Sequence, residues 1–208
     1  NPGYLFKSFL LYCKCGPWPL GYKLVPQIEP HPNSYQYPLI NYPGPNLDYE
    51  KLKSAIKLST QFPYSIAHHL VEAELLSEFI KGSGENSIEI VREKFLDTPV
   101  SREIAAVEKA LADGTDPKRL VAKCGMACEL PGSFMGSLVS IIRAQNYAEG
   151  IRETIRCAGA LCARSNFIGA CLGAKYGIED IPIEWIERVE GMEQIIENSL
   201  KCFANQKD

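Results

Sequence analysis

The side chains of this sequence that could do chemistry are eight cysteines, three histidines and several clusters of glutamate. The densest window is Cys157-Ala158-Gly159-Ala160-Leu161-Cys162-Ala163-Arg164-Ser165. Cys162 beside Arg164 and Ser165 has the elements of a thiol activated by positive charge and a helix N-terminus, but no histidine lies near it in sequence to serve as a base. His68 and His69 are neighbours, so on a helix they point about 100° apart and cannot both face one metal; they read as solvated or core-edge residues. Gly82-Ser83-Gly84-Glu85 lacks the Lys-Ser/Thr ending and the preceding strand of a phosphate loop, and reads as a turn. Glu72, Glu74 and Glu78, and again Glu187, Glu190 and Glu193, read as solvated helix faces. The cysteines include no pair of C-x2-C knuckles, and Cys13-Lys14-Cys15 alone is too little for zinc.

Helices must position these groups. From Asp48 onward apolar residues recur at helical spacing between short capped turns, and no alternating strand pattern of useful length occurs. Asp48 opens a helix through Leu52 and Ile56; Ser65 opens a long one closed by Gly82; Ser87, Ser101 and Asp116 open three more. Pro131 begins an apolar helix through Phe134 to Ile142, and Asn146 with Glu149 forms a capping pair. Ser165 to Ala174 is apolar on nearly every face, with Gly169 and Gly173 four apart, and should be a central helix ending at Gly177. Pro182 starts a short helix, and Glu190 to Phe203 is a final amphipathic one. The fold class is all-α.

Residues 1–48 differ in kind. Residues 1–49 hold nine of the fourteen prolines and ten of the twenty aromatic residues. Proline at this density blocks helix and central strand, so residues 1–48 read as an extended arm. An extended arm cannot bury its own rings. Tyr4, Phe6, Phe9, Tyr12, Trp18, Tyr22, Tyr35, Tyr37 and Tyr42 are therefore candidates for docking on a partner protein, or for strapping the arm across residues 49–208.

The stretch Ala158 to Gly177, followed by Ile181-Pro182-Ile183-Glu184-Trp185, resembles the ADP-ribosylglycohydrolase family, and within it the jellyfish J-type crystallin branch. The hallmark there is a Gly-Gly-Asp-x-Asp-Thr turn, a Gly/Ala-rich helix, Tyr-Gly, and a Pro-x-x-Trp helix. This sequence keeps the helix, Tyr176-Gly177 and Pro182 to Trp185. A looser likeness reaches back to about Tyr49, so residues 50 to 190 resemble the family's C-terminal half, and its N-terminal Thr-Asp-Asp motif has no counterpart in the arm. The resemblance implies an all-helical fold and, in active members, a Mg2+-dependent hydrolase whose acidic ligands hold two metal ions. The two aspartate positions correspond here to Ala160 and Cys162, and Arg164 and Ser165 complete a degenerate motif. Cysteine is too soft for Mg2+, and the window from Cys157 to Ser165 contains no carboxylate.

Composition narrows the rest. The chain has 208 residues, 46% of them hydrophobic and 23% charged, the proportions of a folded protein. A formal charge of -3 leaves no basic footprint for nucleic acid. No apolar stretch reaches the ~18 to 20 residues of a bilayer span. Cys124, Cys128, Cys157 and Cys171 fall inside apolar helical patterns, and no Asn-x-Ser/Thr acceptor occurs, as expected of a reducing intracellular compartment. A first residue other than Met is compatible with processing for a mitochondrion or chloroplast. These readings lead to a non-catalytic structural or accessory subunit of a larger protein assembly, without cofactor. Residual ADP-ribose binding or hydrolysis and a monomeric crystallin-like packing protein are the alternatives.

Overall fold

Proline, capping side chains and glycine set the helix boundaries. The computed structural model describes residues 47–57 and 60–204, with side chains to residue 198. The nine aromatic docking candidates of the arm lie outside the described residues. All described regular structure is helical, without a β-strand.

Asp48 accepts hydrogen bonds from the backbone N–H groups of Glu50 and Lys51 and opens α1 (Tyr49–Ile56). Helix α2 (Pro63–Lys81) begins earlier than Ser65 suggests, because Pro63 occupies its first turn, and it stops at Gly82 in the left-handed conformation. Ser65 is instead buried within it. Ser87 begins α3 (Ser87–Lys94) and donates its hydroxyl to the Gly84 carbonyl. Ser101 does not open α4 (Pro99–Ala112): the Thr98 hydroxyl caps it by accepting from Ser101 N–H, and the Ser101 hydroxyl reaches back to the Arg92 carbonyl at 3.0 Å. Asp116 caps α5 (Pro117–Cys124). Helix α6 (Gly132–Arg143) follows the cis Leu130–Pro131 bond.

Asn146 accepts from Glu149 N–H at 2.8 Å to start α7 (Tyr147–Cys157), while the Glu149 carboxylate takes Gln145 N–H at 3.2 Å, a capping box displaced by one residue. Helix α8 (Leu161–Tyr176) begins four residues before Ser165, since Ala158 (φ 57°) and Gly159 (φ 79°) have already turned the chain and Arg164 N–H bonds back to the Ala160 carbonyl. The short α9 (Ile183–Ile186) and α10 (Met192–Ala204) end the described chain.

Helices α2 and α8 form the centre and pack on each other. Fourteen of the nineteen residues of α2 are buried. Helices α1, α3 and α4 flank α2, and α6 and α7 lie along α8 with α5 outside α6. Phe134 of α6 joins the two sides, its ring 5.4 Å from His68 of α2 and 6.2 Å from Phe167 of α8, centroid to centroid.

Candidate functional site

The turn between α7 and α8 carries Ala160, Cys162, Arg164 and Ser165. Helix α7 ends at Cys157, Ala158 follows at positive φ, and Ala160 takes the N-cap position of α8 with no side chain able to cap. The turn is held from outside by the 125–130 loop, where the Met126 carbonyl accepts Ala160 N–H at 2.8 Å. A Cβ on Gly159 would stand 2.5 Å from that carbonyl, so the approach needs glycine both for space and for φ. Cys162 is exposed, and Ser165 is half-buried. The 125–130 loop also carries Cys128, which is exposed and not within a helical core pattern, whereas Cys157 and Cys171 are buried.

Arg164 is the unexpected element, because its side chain is wholly buried. Its Nε donates to Thr154 Oγ1 at 3.2 Å and its Nη2 to the Ala158 carbonyl, while Nη1 is buried without a partner among the described residues. The guanidinium lies against α6 at Gly136, where a Cβ would come within 2.9 Å of Arg164 Cδ. Burial pushes the guanidinium below its usual value, opposed by the neighbouring thiols of Cys157 and Cys128. Burial likewise raises the Cys157 thiol, with Glu153 adding to the rise and Arg164 opposing it. Arginine nevertheless remains charged in proteins, so this is a buried cation with no carboxylate among the described residues in its hydrogen-bond or ion-pair set.

Magnesium requires oxygen ligands near octahedral geometry. The residues of this turn do not fit it: Ala160 has no donor, Cys162 offers sulfur, and a guanidinium occupies the space behind the turn. Among the described residues no group of three His, Cys, Asp or Glu side chains could hold a metal ion.

The other ionisable cluster lies on α2 and overturns two expectations. Glu72, Glu74 and Glu78 are not a solvated face, being 1%, 2% and 7% exposed, and His68 and His69 are buried. The signal was present in the sequence for Glu72, which falls among the apolar positions Leu75, Leu76 and Phe79 around the helix, but not for Glu74 and Glu78, which share with Lys81 the one sector that the apolar residues leave open. Lys94 of α3 donates to Glu74 at 2.6 Å and the Tyr49 hydroxyl of α1 donates to the same carboxylate. Glu78 holds Lys81 at 2.7 Å and the Ser83 hydroxyl at 2.6 Å. His68 Nδ1 lies 2.9 Å from the Tyr64 carbonyl, which can only accept, so Nδ1 carries a proton; Nε2 meets Glu103 of α4 at 2.7 Å. Adjacent histidines do face different partners, since His69 Nδ1 contacts Glu72 at 3.1 Å. Glu187, Glu190 and Glu193 are exposed as expected.

Comparison with known proteins agrees with this architecture. The family model for ADP-ribosylglycohydrolase matches residues 54–207. Crystallin J1A of Tripedalia cystophora is 39% identical over 77 residues, 37% of this chain and 24% of that protein. Crystallin J1B of the same animal is 38% identical over 87 residues, 42% of this chain and 27% of that protein. The chain thus spans about a quarter of the length of the curated relatives it matches. It belongs to the ADP-ribosylglycohydrolase family.

Proposed function

We propose that this family member is a non-catalytic protein that serves as a structural or accessory subunit of a larger assembly, with residues 1–48 as its docking arm and residues 49–208 as its helical domain. The observation that carries the reading is the turn into α8, where Ala160 and Cys162 stand at the positions the family's motif gives to aspartate and Arg164 fills the space behind them with a cation. A dication cannot be held by a methyl group and an exposed thiol backed by a guanidinium. The arm reading rests on Tyr4 to Tyr42 and the prolines between them: rings of that size gain most from a surface outside the segment itself. Among the described residues no helix is long and apolar enough to cross a membrane. Cys124, Cys128, Cys157 and Cys171 are in no disulfide, which supports a reducing compartment.

The test is the native mass of the endogenous protein after gentle size fractionation, with mass spectrometry of co-migrating chains. The expected result is a mass far above 23.1 kDa with constant partners. A free monomer overturns the subunit role. Mg2+-dependent release of ADP-ribose from a modified protein substrate overturns the non-catalytic role, and no such release is expected. The likeness to two crystallins favours a second reading, a monomeric packing protein, for which the arm would resist limited proteolysis in the isolated chain.

A further inference from the structure

We infer that the face formed by α9 and the C-terminal half of α7 is a contact between two copies of this chain, related by a two-fold axis. Two apolar side chains stand out on it: Ile155 of α7 is 52% exposed and Ile183 of α9 is 63% exposed. Each lies among charges of one sign. Arg152 is one turn before Ile155 and Arg156 directly after it, and Lys118 of the neighbouring α5 is close enough for its charge to reach the Cys157 thiol at the end of α7. Around Ile183 the charges are Glu184, Glu187 and Glu190. These three basic and three acidic side chains are exposed, and none of them takes an ion pair among the described residues. The separation of charge extends further: residues 179–197 hold seven acidic residues against Arg188 alone, so in a chain of net charge -3 the remainder is net basic.

The basic and acidic patches are carried by elements that touch. The Arg152 guanidinium lies over the Trp185 ring, 5.4 Å from its centroid, and the Tyr147 ring stands 6.3 Å from the same indole. Single exposed isoleucines are ordinary on a protein surface; two of them on adjoining elements, each set in unpaired charge of opposite sign, make a self-complementary face. A two-fold axis between the patches lays the basic patch of each copy on the acidic patch of the other and carries the Ile155 of one towards the Ile183 of its partner. A basic peptide satisfies only the α9 half and an acidic peptide only the α7 half, whereas a second copy satisfies both. The inference does not rest on the assembly reading: its failure shows in the isolated chain, and the failure of that reading shows in the proteins that accompany the endogenous one.

The experiment is sedimentation velocity on the isolated full chain over a range of concentrations in low and high salt. A reversible monomer–dimer equilibrium that weakens as salt rises is expected. Lys118→Glu with Arg156→Glu, and separately Glu184→Lys with Glu187→Lys, give both patches of a copy the same sign and leave the Arg152 contact with Trp185 in place. Each variant should raise the dissociation constant about tenfold or more, because like charges then face one another. Mixed in equal amounts the two variants should associate again, since each meets the opposite sign at both patches. Ile155→Ser should weaken the dimer, and Leu96→Ser, at an equally exposed residue that follows α3, should leave it unchanged. A chain that stays monomeric at every concentration in low salt overturns the inference. So does a dimer indifferent to both charge variants, a pair of variants that does not recover on mixing, or a monomer that binds an oligolysine peptide instead of its own copy.

Discussion

Two buried charged side chains, Glu74 on α2 and Arg164 on α8, are housed in opposite ways. On α2, Glu74 collects Lys94 and Tyr49, and Glu78 collects Lys81 and Ser83. On α8, the hydrogen bonds of Arg164 among the described residues go to neutral acceptors, the Thr154 hydroxyl and the Ala158 carbonyl. Paired burial ties together helices distant in sequence, since one carboxylate, Glu74, joins α1, α2 and α3. The buried guanidinium of Arg164 also joins elements, α8 to Thr154 of α7 and to the Ala158 carbonyl, but through neutral acceptors. An ion pair between helices thus joins elements distant in sequence, whereas a cation buried against neutral acceptors has no opposite charge to offset its desolvation.

The largest test removes what the two sides share. Phe134→Ala should cost about 3–5 kcal/mol, measured by urea unfolding, because the ring stands between His68 and Phe167 and its cavity opens on both. A loss below about 1 kcal/mol would mean the two sides fold independently. Glu74→Gln should come next, at about 1–3 kcal/mol, since it strips charge from hydrogen bonds to Lys94 and Tyr49. By contrast Arg164→Met should be neutral or stabilising. If the two substitutions cost the same, the contrast between paired and unpaired burial fails.

The α2 side should also respond to pH. Burial alone would lower the Lys94 pKa, but Glu74 and Tyr49 outweigh it and raise it; burial and then Glu74 raise that of Tyr49. Both groups hold protons more tightly when folded, so their contribution is complete below their unfolded values of 10.0 and 10.5 and is lost as pH climbs through the folded ones. Unfolding temperature should fall over this alkaline range, and less steeply in Glu74→Gln. Glu78 runs the other way: burial would raise its carboxyl, but Lys81 and Ser83 hold it below 4.5, so its contribution is present above that value and lost in stronger acid. The smallest effect separates the helices' starts. Asn146→Ala, which removes the cap of α7, should cost about 1 kcal/mol.

Helix class and most helix ends were legible because their causes are local. Asp48, Asp116 and Asn146 each satisfy an N–H two or three residues onward, and Gly82 takes the left-handed conformation that ends a helix. Ser65, Ser101 and Ser165 misled because proline or a tighter turn upstream had already started each helix. The degenerate turn was legible in its residue types, including its lack of carboxylate. The burial of Arg164 was not, since its seat is a bare position, Gly136, on another helix. Glu72 could have been found from its place among the apolar positions of α2, whereas Glu74 and Glu78 lie on its one polar sector and are enclosed by groups outside that pattern, Tyr49 and Lys94 around the first and Ser83 beside the second.

That bare position has a consequence for the order in which changes can accumulate. A methyl group at Gly136 collides with Arg164, although alanine in the interior of a helix is ordinarily favoured by about 1 kcal/mol. A lineage or an engineer can therefore take Arg164→Met first and Gly136→Ala second, gaining at the second step. The reverse order passes through a clash, and once both have changed, restoring arginine alone meets the new methyl group. The pair behaves as a ratchet: the guanidinium is easy to lose and hard to regain.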